Sequence, residues 1–93
     1  MLEKSKFIKE IAAIIVQQVV SRYEGMDGRM YDYITLDLKS RKKIYKSLYN
    51  YSGVNYTLAQ AIKENSDEFA LFGITVDKYD DVNYNGITVN DIK

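Results

Sequence analysis

The residues best placed to do chemistry lie in the last third of the chain. Asp81, Asn83, Asn85 and Gly86 set oxygen-bearing side chains at alternate positions ahead of a glycine. A hard divalent cation such as calcium asks for that pattern, with the glycine supplying the sharp bend. The position where a bidentate acid should close the coordination shell holds Ile92, and Asp91 would reach it only with an inserted residue. Glu64 is a carboxylate that could give or take a proton, but no second acid stands at a useful spacing from it. Tyr56, Thr57, Gln60 and Lys63 would share one side of a helix, where glutamine and lysine side chains can read base edges. Lys39, Arg41, Lys42, Lys43 and Lys46 form the densest positive run. A solvated helix face is the simpler account of such a run.

What is missing narrows the chemistry further. The chain has neither histidine nor cysteine. This removes the commonest general base, thiolate metal sites, disulfides and any nucleophile activated by imidazole. An enzyme would have to work with carboxylates, lysine or tyrosine, and no spacing singles out such a pair. No glycine-rich phosphate loop or nucleophile elbow is present. We therefore expect no enzymatic activity, no cofactor and no resident metal. Thirteen basic residues balance thirteen acidic ones, and the neutral total argues mildly against a nucleic-acid binder. The longest apolar run, Ile11 to Val16, is far short of the roughly 20 residues of a membrane span. No membrane association and a cytoplasmic setting are expected.

The elements that must position these residues can be read from periodicity. Ninety-three residues suit a single domain, 1–93. Phe7 to Tyr23 carries apolar residues around roughly two-thirds of a helical circumference at about 100° per residue. Its polar stripe is narrow: Lys6, Glu10, Ala13, Gln17, Ser21 and Glu24. Ser5 is a possible N-cap. So wide an apolar girth predicts a central helix covered on one side by the chain and on the other by a second copy, with Ile14 and Val20 at the contact. Glu24 to Arg29 is a turn, with Gly25 placed to end the helix. Tyr31 to Leu38 reads as a strand with Ile34, Leu36 and Leu38 on one face. A second helix, capped by Asp37 or Ser40, runs to about Tyr51 with Ile44 and Leu48 inward. Ser52 to Asn55 breaks it. A third helix starts near Tyr56, with Leu58, Ala61 and Ile62 inward, and continues or restarts at Ser66. Phe69, Leu71 and Phe72 are expected in the core, and Gly73 ends the segment.

Asn85-Gly86 between alternating apolar residues is the strongest short hairpin signal. A two-residue turn there sets Tyr84 opposite Ile87 and Val82 opposite Val89. The hairpin also explains the Asp81–Gly86 pattern with fewer assumptions than a cation does. The echo between Gly73-Ile-Thr-Val-Asp and Gly86-Ile-Thr-Val-Asn suggests a meander with a further strand. The fold class is α+β: a long N-terminal helix, a short strand, two further helices and a C-terminal antiparallel hairpin or meander.

Three resemblances attach to these residues. The element order, with Ser52-Gly53-Val54-Asn55 before Thr57-Leu58-Ala59-Gln60-Ala61-Ile62, resembles a winged helix-turn-helix. That likeness implies DNA contacts from Tyr56, Thr57, Gln60 and Lys63, with Arg41, Lys42 and Lys43 nearby. The turn is one residue shorter than the usual pattern, and Asp77, Asp80 and Asp81 would stand in the wing against phosphates. Asp81 to Gly86 is similar to the opening of an EF-hand or dockerin loop. Phe7-Ile-Lys-Glu-Ile-Ala, Ala59-Gln-Ala-Ile-Lys-Glu64 and Leu71-Phe-Gly-Ile resemble segments of the glucosaminidases that cut peptidoglycan, which would make Glu64 catalytic. The Trp-Gly that follows the glutamate in that family is absent.

The reading we prefer is a non-enzymatic protein-binding module: a regulator, inhibitor or assembly factor of the kind found among phage and mobile-element accessory proteins. Tyrosine, present nine times, is large, stiff and half-polar, and suits contact surfaces. Tyr31, Tyr33, Tyr49 and Tyr79 are the expected contact residues, and the partner is another protein or a second copy. The alternative is a DNA-binding transcriptional regulator.

Overall fold

A computed structural model describes residues 3–24 and 33–90, the side chains of residues 22–24 excepted. The predicted turn at residues 25–29, with Gly25, and the contact candidate Tyr31 lie outside the described residues. So do Asp91 and Ile92. The described chain is α+β, with the elements α1 (Lys4–Glu24), β1 (Tyr33–Thr35), α2 (Leu38–Ser52), α3 (Leu58–Glu64), α4 (Ser66–Ala70), β2 (Ile74–Val76), β3 (Val82–Tyr84) and β4 (Ile87–Asn90).

The hairpin forms in the predicted register. Tyr84 pairs with Ile87 and Val82 with Val89. Asn85 and Gly86 both have positive φ, 47° and 87°, as a two-residue hairpin turn of the favoured hand requires. The echoing segment becomes β2, antiparallel to β3 on its other side. β1 then adds in parallel to β4, giving the order β1-β4-β3-β2. Cross-strand neighbours share a face, so the register sorts the sheet into rows. Ile34, Val89, Val82 and Val76 form an inward row; Tyr33, Thr88, Asn83 and Thr75 form an outward, mostly polar one.

The helices cover the inward face, with α1 against β3 and α3 and α4 against β2. The α1 helix also lies along α2, where the Ser47 hydroxyl donates to Glu10 at 3.2 Å. Phe7, Ile8, Ile11, Ala12, Ile15 and Val19 are all buried, and Ile14 and Val16 pack against the same core. This corrects the expectation that one chain could not cover α1. The sheet, α2 and α4 reach around more of the helix than a one-sided contact would. Of its described side chains, Ala13 and Val20 are the exposed apolar ones, Val20 at 43%.

Several local expectations also change. The described helix already includes Ser5, so that residue does not cap it. The strand after the undescribed segment is shorter than Tyr31 to Leu38. Asp37 interrupts it, accepting the Ser40 amide at 2.7 Å as the N-cap of α2. Leu38 thereby becomes the first helical residue and is exposed, while Ile34 and Leu36 are buried. Phe69 is buried as expected, but Leu71 is 86% exposed and Phe72 is exposed too. Both follow the last turn of α4, which ends before they could turn inward. Gly73, at φ 79°, closes the segment, and its carbonyl accepts the Asn85 amide at 3.2 Å.

Candidate functional site

Of the residues put forward for DNA contact, Tyr56, Thr57, Gln60 and Lys63 lie on or beside α3, where the fold engages each of them, whereas Arg41, Lys42 and Lys43 lie on α2. The Thr57 hydroxyl accepts the Gln60 amide at 3.1 Å, and the Gln60 side-chain oxygen accepts the Thr57 amide at 2.9 Å. This reciprocal capping box satisfies two helix-end donors that would otherwise lack partners. Lys63 pairs with Asp80 on the β2–β3 loop. The Tyr56 hydroxyl donates to Glu64 at 3.2 Å. The Tyr56 ring packs against Phe7 and Tyr51, which stack on each other at 4.1 Å. Burial, then the negative charge of Glu64, pushes the Tyr56 hydroxyl up to a pKa of about 12. The same hydrogen bond takes up Glu64, the residue the glucosaminidase likeness would make catalytic.

The Asp81–Gly86 pattern lies along β3 and its turn. Extended backbone advances about 3.3 Å per residue, so Asp81 and Asn85 are carried apart rather than wrapped around a common point. Asn83 accepts from Thr88 across the ladder at 3.4 Å and donates to the Asp81 carbonyl at 3.3 Å. Among the described residues there is no group of three or more acids placed to hold a metal ion.

The expected tyrosine face is dispersed. Tyr33 lies on β1, at the sheet edge and the end nearest the Asn85-Gly86 turn. Tyr79 lies on the β2–β3 loop at the opposite end, its ring under the Lys78 ammonium at 5.1 Å. Tyr49 is 60% exposed and lies on α2. Its neighbours are residues the spacing had not put forward. Tyr45, 40% exposed, precedes it by one helical turn, and Val54, 73% exposed, follows α2. With Leu48, Gly53, Asn55 and Tyr56 they line a groove of about 250 Å³. The i, i+4 spacing of Tyr45 and Tyr49 was visible in the chain. The turn that brings Val54 alongside them, through Gly53 at φ 93° and Asn55 at φ 68°, was not.

The chain matches no family model, no curated protein and no solved structure.

A second apolar groove, of about 290 Å³, runs between α1 and the end of α4, with Ile8, Leu71 and Phe72 in its walls. Lys4 and Glu68 close one side with an ion pair of 3.3 Å. The Glu68 carboxyl is held below its ordinary pKa first by its own backbone amide, then by Lys4. Neither groove gathers a catalytic set. The groove at α2 differs in what adjoins it. Lys39, Lys42, Lys43 and Lys46 are all exposed beside Tyr45 and Tyr49. No described helix is long and apolar enough to cross a membrane.

Proposed function

We propose that this is a small, non-enzymatic protein-binding module, a cytoplasmic regulator, inhibitor or assembly factor, with the Tyr45–Tyr49–Val54 groove as its contact. One observation carries the reading. Large, half-polar side chains stand exposed around one groove, whereas the side chains that would read DNA are held by the fold's own hydrogen bonds. Stiff aromatic rings lose little entropy on contact and recur as interface anchors. In this reading the partner is a different protein; α1 offers a second copy little apolar area among its described side chains.

The test is retention of a partner from the native host on immobilised protein, compared with the Tyr49→Ala variant. Retention by the wild type and loss by the variant supports the reading. Equal retention by both refutes this groove as the contact.

A second reading, a DNA-binding regulator, is supported by the exposed basic face of α2. Fluorescence polarisation with random duplex across rising salt separates the two, because phosphate contacts make affinity fall steeply with salt. We expect no such binding. If it occurs, and Gln60→Ala and Lys63→Ala weaken it, the DNA reading takes precedence.

A further inference from the structure

We infer that the outer face of α2 docks an acidic protein segment bearing an apolar anchor: the carboxylates on a lysine stripe, the anchor in the groove beside it. The inference rests on the protein-binding reading and names the chemistry of the partner.

Lys39, Lys42, Lys43 and Lys46 stand at i, i+3, i+4 and i+7, one face of a helix. All are exposed, and among the described residues none of them pairs with a carboxylate. The helix, LKSRKKIYKSLYNYS, contains no acid at all. Because the whole chain is neutral, the rest of it is negative by the charge α2 holds. Tyr45 and Tyr49 follow Lys42 and Lys46 by three residues each, so the aromatic row borders the stripe along one side.

The stripe does not serve the helix that carries it. Like charges three and four residues apart repel, at a few tenths of a kcal/mol per pair. Basic residues also gather in the first half of α2, where the positive end of the helix dipole disfavours them. An external anion is the favourable counterpart of such an arrangement.

Several of the chain's own described acids are already engaged. Glu68 pairs with Lys4 and Asp80 with Lys63. Asp37 caps α2, and Asp77 accepts the amides of Tyr79 and Asp81. A second copy would have to give up these contacts to present those carboxylates, which a separate acidic segment would not. A nucleic acid strand would also find the lysines, but the groove beside them is walled mainly by Leu48, Val54 and the tyrosine rings, with Asn55 the one amide side chain in its lining. An apolar side chain suits it better.

The experiment uses the full chain and a short fluorescein-labelled peptide in which glutamates surround a central Phe-Leu pair. Anisotropy is read over rising salt, with a basic peptide of the same pattern and an oligothymidylate of similar length in parallel. The acidic peptide should bind, more weakly as salt rises, and the other two should not. Lys42→Glu with Lys46→Glu should weaken it at least about tenfold, since close opposite charges are replaced by like ones. Tyr49→Ala should weaken it about tenfold by removing the anchor's wall. Lys6→Glu with Lys9→Glu on α1, the same change in net charge, should leave it intact. Circular dichroism and the melting temperature confirm that each variant folds. Four results overturn the inference: no binding of the acidic peptide, equal loss in both charge reversals, tighter binding of the oligonucleotide, or lysine-dependent self-association in sedimentation. If a host partner is lost from Tyr49→Ala but kept by the Lys42→Glu, Lys46→Glu variant, the groove stands as a contact and its acidic partner does not.

Discussion

The faces of α2 and α3 are built from the same kinds of residue and differ in whether the fold engages them. On and beside α3, Thr57, Gln60, Lys63 and Tyr56 are polar, and each bonds another side chain or backbone group of the chain. On the outside of α2, Lys39, Lys42, Lys43 and Lys46 are polar and have no such tie among the described residues. A polar side chain on a helix thus carries no functional meaning until its partner is known. Where the partner is internal, substitution should lower stability. Where it is external, substitution should leave stability alone or raise it, and change only binding.

The largest effect belongs beneath α3. Phe7 is fully buried, stacked on Tyr51 and tilted against Tyr56, so one ring joins α1 to α2 and to the entry of α3. Phe7→Ala should cost about 3–5 kcal/mol in urea unfolding. A loss under about 1 kcal/mol would mean that the aromatic trio does not anchor the α3 side. Next comes the cap. Thr57→Ala should lower stability by about 0.5–2 kcal/mol. Gln60→Ala should add less in the Thr57→Ala background than alone, since the two side chains act reciprocally. A neutral Thr57→Ala would free that hydroxyl for an external ligand and break the contrast.

The Tyr56 hydroxyl gives the contrast a pH signature. Its pKa in the folded state is pushed up to about 12, above the ordinary value of 10.0. Between those values the unfolded chain releases its proton first, so the unfolded state binds fewer protons and stability falls as pH rises. The contribution is complete below pH 10 and is lost on the way to about 12. Tyr56→Phe should flatten that alkaline limb, and an unchanged limb would show that neither burial nor Glu64 raises the Tyr56 hydroxyl. Lys63→Ala, which breaks a pair exposed on both sides, should cost at most about 1 kcal/mol and less at high salt.

Local chemistry made much of this legible in the chain. Asn85-Gly86 set the hairpin register because a mirror-image turn needs residues that accept positive φ, and Asp37 was readable as a cap. The parallel pairing of β1 with β4 was not, since nothing near Tyr33 or Thr88 encodes a partner so distant along the chain. Apolar girth misled in both directions. It overstated the bare surface of α1, which the sheet and two helices enclose, and it placed Leu71 in a core that α4 is too short to reach. Of the contact surface, Tyr49 was readable as a tyrosine on a helix. Val54 was not, because its position depends on two left-handed residues in a turn.

The smallest effect is the most discriminating, because its sign differs from all the others. Lys42→Glu puts an acid four residues before Lys46, the better orientation for an ion pair. It also removes repulsion between Lys42 and both Lys39 and Lys46. The sum should raise stability by a few tenths of a kcal/mol, visible as a slightly higher melting temperature that shrinks with added salt. A gain on reversal is what a surface kept for binding and not for folding should show, since stability is commonly traded for function. If Lys42→Glu instead lowers stability by 1 kcal/mol or more, the lysine has an internal role. The outside of α2 would then belong with the face of α3, and the reason for looking there for a partner would be gone.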